Sequence, residues 1–319
     1  MTTSGYRHLL LLLSSLTLSC ASWQDTKINA QFASSPCNRQ NAYTYRVTDV
    51  PEPLYRLKID SLIVQKISRS NLNIANAINV LDLLTQYSHL KTRGTSDKNL
   101  DDRILALELK QEIAQRINNA SLIISAVSSE LDCEEERISQ VANFLKSKES
   151  DLESKLTMGA IVIGASGAIA TGGTIRNEAV SNTIGITTGI AEATLGVLML
   201  FNNRKVNFFH ERNALKDIWD GPNVSENFPP FVWYYLNTGD GGDPTKTTVR
   251  EQIIAKWKDF GQIGGNDIEQ EVTDLYFGEG GKYSTEQLDN RADMYDQLES
   301  QINLMKQGLM SLSMEVQKI

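Results

Sequence analysis

Ile117, Ile124, Leu131, Ile138, Leu145 and Leu152 recur every seven residues along one stretch of this chain. Ile113, Ala120, Val127 and Val141 fill the companion position of the same heptad, with Glu134 and Lys148 interrupting that second row. A seam repeated over so many turns obliges the chain to build a long helix and to supply a long partner for it. The spacing predicts a helix of about 50 residues starting near Asp101.

The partner is read at the C-terminus. Ser284 and Gln287 have capping-box spacing. After them Leu288, Tyr295, Ile302, Leu309 and Val316 hold one heptad position. Leu298, Met305, Leu312 and Ile319 hold the other, with Arg291 as the exception and Gly308 as the one weak helix former. Upstream, Leu54 to Leu90 is mostly amphipathic, with Ile59, Ile63, Ile67, Ile74, Ile78, Leu81 and Leu84 at helical spacing, and Arg93 to Ser96 breaks it. Strand patterns are scarce. The expected fold is all-α, an elongated antiparallel long-helix bundle with a bundle part over 54–156.

Between the two heptad stretches lies a second constraint. No charged residue occurs from Leu156 to Ile175, and Thr183 to Phe201 carries only Glu192. Each arm is about the length needed to cross a bilayer as a helix. Small residues recur at steps of four: Ala160, Gly164, Ala168 and Gly172 in the first arm, Gly185, Gly189 and Ala193 in the second. Such stripes let two helix backbones approach closely in lipid. In water each glycine costs about 1 kcal/mol relative to alanine, so close helix packing must offset it. The expectation is a central Gly-rich apolar helical hairpin over 157–202, either entering a membrane or buried in the bundle. Glu192 is then a membrane-embedded or buried acid, costing about 3 kcal/mol in lipid unless paired or protonated.

From 203 to 283 the composition changes. Three of the four tryptophans lie here, with most turn residues. Val206 to Trp219 reads as a helix ending at Asp220-Gly221-Pro222, and Val249 to Phe260 as a short amphipathic one. Asn237 to Pro244 is a loop on its glycines and proline. Phe228 to Leu236 is a compact apolar run, either core or an exposed patch for a partner or a membrane interface, and core is favoured. The whole is an aromatic-rich helical and loop cap on the bundle.

The N-terminus supplies location. Arg7 and His8 precede an apolar core, Leu9 to Leu18, too short to span a bilayer. Ser19 then precedes Cys20. The Leu16-Thr17-Leu18-Ser19-Cys20 run resembles the lipobox of bacterial lipoproteins, Thr17 departing from the leucine commonest there. The resemblance implies a signal peptide over 1–19 and lipidation of Cys20, with a palmitate-type acyl anchor holding the protein in the cell envelope. Ala21 resembles the pattern that permits outer-membrane transport. A polar tether from Cys20 to Pro53 would join the anchor to the body. Cys37 and Cys133 remain as one pair in a compartment that permits disulfides. They either bond or stay as two free thiols in unrelated places.

Composition narrows the partners. The chain carries a net charge of −8 and a pI near 5.1. That balance argues against nucleic acid and against docking on anionic lipid by charge. The partners expected are membrane lipid through the acyl anchor, and a protein or a second copy through the heptad helices.

No catalytic grouping is found. His89 and His210 stand apart in helical contexts, and His210-Glu211-Arg212-Asn213-Ala214 lacks the second histidine of a zinc-protease helix. No Cys/His cluster has zinc spacing, so no metal or cofactor is expected. The glycines near Gly164 lack the Lys-Ser/Thr ending of a phosphate loop. Asp240 and Asp243 sit in a turn without EF-hand spacing. Glu134-Glu135-Glu136 reads as a solvated helix face. The expected protein is a noncatalytic envelope scaffold or interaction protein. Long helices flanking a Gly-rich apolar hairpin are also similar in layout to α-helical pore-forming toxins of the cytolysin A type. That similarity implies membrane permeabilisation as the alternative.

Overall fold

The computed structural model describes residue 37 and residues 43–92, 100–173, 205–210, 212–264 and 270–319, with side chains described on 100–173 as far as 159 and at 161. Nine α-helices and one two-stranded antiparallel sheet are found among the described residues. The order is α1 (Ser61–Lys66), α2 (Arg69–Ala77), α3 (Leu81–Thr92), α4 (Leu100–Gly173), β1 (Val206–Phe209), α5 (Ala214–Asp220), α6 (Pro230–Leu236), α7 (Val249–Asp259), α8 (Gln270–Phe277), β2 (Gly280–Tyr283) and α9 (Thr285–Gln317). The fold is an all-α, elongated bundle.

Its spine is the pairing of α4 with α9. Ser128 donates to Asn303 Oδ1 at 2.9 Å and Thr285 to Glu149 Oε2 at 3.0 Å, so the two helices run antiparallel. The heptad residues are the seam. Ile113, Ile117, Ala120, Ile124, Val127, Leu131, Ile138, Val141 and Leu145 of α4 are buried. Facing them, Leu288, Tyr295, Leu298, Ile302, Met305, Leu309, Leu312 and Val316 of α9 are buried too. Leu152 is only half-buried, and α9 begins opposite Glu149. The capping box at Ser284 and Gln287 forms as spaced, each side chain bonding the other's backbone N–H.

Gly308 has a packing reason. Helix α2 crosses α9 there, and a Cβ on Gly308 would sit 3.1 Å from Ile74 Cδ1. Asn71 donates to Ser311 Oγ and the Ser68 amide to Glu315 Oε2 along the same contact.

Three expectations are corrected. The predicted helix of about 50 residues is 74 residues long, and it passes through Lys155 and Leu156 without a break. Position 156/157 is therefore no structural boundary, and the first apolar arm continues the bundle helix. Second, Val206 to Trp219 is not one helix. Val206 and Phe208 point inward on a strand paired with Tyr283 and Gly281, and the helix starts only at Ala214. Alternation of period two won over helical spacing once β2 supplied a partner. Third, the amphipathic 54–90 stretch is three helices, not one. Asp60 and Ser68 each accept from a backbone N–H as N-caps, and Asn79 adopts φ 57 between α2 and α3.

The 203–283 region shares one continuous apolar core with the bundle, running from Ile138 through Phe208, Leu215 and Trp257 to Leu288. Phe228, Val232, Trp233, Tyr234 and Leu236 are buried, with Pro230 opening α6 at its first position. That apolar run is core.

Candidate functional site

Two places stand out: the far end of α4 and a buried polar cluster where the cap meets the bundle. Beyond Leu145 no described side chain of α4 is buried. From Glu149 to Gly173 the helix advances about 36 Å at 1.5 Å per residue. Met158 is 60% and Ile161 64% exposed on this overhang. Residues 156–173 of the uncharged run lie on this helix beyond the point where α9 begins. Ala160, Gly164, Ala168 and Gly172 fall on the helical backbone of this end. Gly185, Gly189, Ala193, Glu192 and the rest of the 174–202 stretch lie outside the described residues, as does Cys20. No helix among the described residues is long and apolar enough to cross a membrane.

Cys37 and Cys133 are bonded, with Cα atoms 5.5 Å apart. The bond fixes the N-terminal segment to the middle of α4. Nearby, the Tyr43 amide donates to the Glu226 carbonyl and the Ser225 amide to the Tyr45 hydroxyl.

The polar cluster is built around Arg291, the exception in the α9 heptad. Its side chain is 1% exposed. Nη1 donates to the Tyr276 carbonyl at 2.5 Å and Nη2 to Asn213 Oδ1 at 3.0 Å. The guanidinium carbon stands 5.3 Å from the Tyr295 ring centroid. Asn213 Nδ2 returns bonds to the Tyr276 and Gly278 carbonyls. The charge is thus spread over carbonyls, an amide and an aromatic face.

His210 completes the cluster, at the end of β1 and not in a helix. The Tyr283 hydroxyl donates to the Leu275 carbonyl at 2.5 Å, so its oxygen accepts from His210 Nε2–H at 2.9 Å. Burial, with the Arg291 and Arg137 charges behind it, pushes the imidazole down to about 2. Burial likewise pushes the Tyr276 and Tyr295 phenols up to about 12, and raises Tyr283. None of these groups changes protonation near neutrality. The cluster joins α9, α8, β1 and β2. Spacing alone could not have found it, because Arg291 meets Asn213 from 78 residues away.

The remaining candidates are spent on local structure. His89 Nε2 lies 3.0 Å from Asp60 Oδ2. Asp243 accepts from the Thr245 amide and hydroxyl, and Asp240 pairs with Lys246 at 2.9 Å. Glu134 pairs with Arg137. Among the described residues no group of three metal-ligating side chains converges.

Comparison with models of known protein families, with curated proteins and with solved structures finds no match for this chain.

Proposed function

We propose that the chain is a bacterial cell-envelope lipoprotein, anchored by acyl chains at Cys20, whose work is noncatalytic: a scaffold or interaction protein that offers its 157–202 hairpin to a membrane. The observation that carries this reading is the overhang of α4. A bundle helix that runs about 36 Å past its partner while losing every charge after Lys155 is poorly suited to water alone. Its exposed Met158 and Ile161 suit lipid. The lipobox-like run at Cys20 supplies the second membrane contact, and its Ala21 favours the outer membrane.

The same exposed arm supports a second reading, an α-helical membrane-permeabilising protein. Oligomers would then form in lipid.

The test is fractionation of cells expressing the wild-type chain or Cys20→Ala, with metabolic labelling by a palmitate analogue. Label on the wild type alone, with wild type in the outer membrane fraction, supports the lipoprotein. Label on both, or on neither, contradicts it. Dye leakage from vesicles with purified protein separates the readings: a scaffold leaves them sealed.

A further inference from the structure

The segment from Tyr43 to Pro53 lies across the body without sinking into it. None of its residues is buried, whereas the next one, Leu54, is 2% exposed and seated in the core. The segment is held at both ends. Leu54 fixes one end, and the Cys37–Cys133 bond with the Tyr45–Ser225 contact fixes the other.

Clefts open on both sides of this strap. The two, of about 610 and 560 Å³, share Thr48, Val50, Pro51 and Glu52 as a common wall. Ile78, Ile123, Pro230 and Phe231 line the far side of the first. Pro222, Trp233 and Asn237 line the far side of the second. The strap is thus the partition between two clefts of mixed apolar and amide lining.

The strap has the chemistry of a recognised peptide. After a 3-10 turn over Val47–Asp49, Val50 (φ −78°, ψ 130°) and Pro53 (φ −55°, ψ 136°) have dihedrals close to polyproline II in a Val-Pro-Glu-Pro run. The Glu52 carbonyl accepts from Asn76 Nδ2 at 2.7 Å, and Asn76 also donates to the Tyr234 hydroxyl. Extended proline-bearing segments docked beside aromatic and proline side chains, with a side-chain amide on a free carbonyl, are a general mode of peptide recognition.

We propose that the surface between these clefts is a binding site for an extended, proline-bearing polypeptide, occupied in cis by residues 50–53. A partner segment of the same chemistry competes with the strap. The disulfide weights that competition towards the closed form by keeping the strap's effective concentration high. This reading stands independently of the anchor and the arm.

The probe is a capped, fluorescent peptide of the strap's own sequence, Arg46 to Pro53. It is titrated by anisotropy into the full chain in mild detergent, as wild type and as a release variant combining Cys37→Ser, Cys133→Ser and Tyr45→Ala. Binding at least tenfold tighter to the release variant, and lost again on adding Phe231→Ala, is expected. No binding to a folded release variant, or equal binding with and without Phe231→Ala, overturns the proposal. If the release variant loses helicity, hydrogen exchange at the Ser225 amide is followed in oxidised wild type. That amide is covered by Tyr45, which the peptide lacks, so excess peptide accelerates its exchange. Unchanged exchange at saturating peptide overturns the proposal equally.

Discussion

Arg291 donates to Asn213 Oδ1 at 3.0 Å, and through this bond a cation in the α9 heptad holds the cap to the bundle. Asn213 stands just ahead of α5 and also bonds the Tyr276 and Gly278 carbonyls at the end of α8. A single buried side chain thus fixes the meeting point of three elements. Arg291→Ala removes one of two donors from the Tyr276 carbonyl and takes the guanidinium away from the buried Asn213 Oδ1. It should lower unfolding stability by about 1–3 kcal/mol. Urea denaturation followed by the tryptophans of the cap checks this, and a loss below about 1 kcal/mol would show the guanidinium to be dispensable.

Gly308 marks a close helix crossing. In an open helix Gly308→Ala would gain about 1 kcal/mol. Here the new Cβ meets Ile74 Cδ1 at 3.1 Å and Cγ1 at 3.2 Å, which offsets that gain. Gly308→Val should cost about 1–3 kcal/mol through overpacking. Shortening the neighbour with Ile74→Ala in the same chain should recover part of the cost. A double-mutant cycle with no coupling between the two sites would refute the crossing.

The Cys37–Cys133 bond spans 96 residues of sequence. Closing a loop of that size restricts the unfolded chain by about 4–5 kcal/mol in the chain-entropy estimate. The double serine variant should therefore unfold at lower denaturant, by about 2–4 kcal/mol. Its circular dichroism should stay helical, because the α4–α9 seam is made without the bond.

His210 gives stability a pH dependence of defined sign. In the folded chain its pKa is pushed down to about 2, and in the unfolded chain it titrates near the ordinary 6.5. Below pH 6.5 the unfolded chain takes up a proton that the folded chain refuses. The His210 contribution is therefore complete above about pH 6.5 and is lost as pH falls, by at most about 1.4 kcal/mol per pH unit. His210→Gln should flatten the wild-type slope between pH 6.5 and 5, as read from midpoints of denaturation. Parallel slopes for the two proteins would place the histidine outside the acid response.

The long helices were legible because their signal is local and repeated. Ile113 to Leu145 and Leu288 to Val316 each announce a seam on their own, and the Ser284 cap is written within four residues. What failed was short or distant. Val206 to Phe209 becomes a strand only through Gly280 to Tyr283, some seventy residues on in the register Val206 to Tyr283. Arg291 stood out as a break in the pattern, yet its partners sit in elements that spacing cannot bring together. Cys37 and Cys133 were a pair by count alone, and only the docking of the N-terminal segment on α4 puts their Cα atoms within bonding range. The overhang was hidden for a different reason. Sequence showed where charge stops, at Lys155, but not that the bundle helix continues through that point.

The membrane role of the arm is tested most directly with polarity-sensitive dyes at Met158→Cys and Ile161→Cys. The chain carries Cys20→Ser so that no acyl anchor can bring it to lipid, and its Cys37–Cys133 bond stays oxidised. Both sites should label quickly in buffer, being exposed. On adding vesicles their emission should shift to the blue as the arm enters lipid. Quick labelling followed by unchanged emission at high lipid would contradict the membrane assignment and leave the arm as a surface for protein partners.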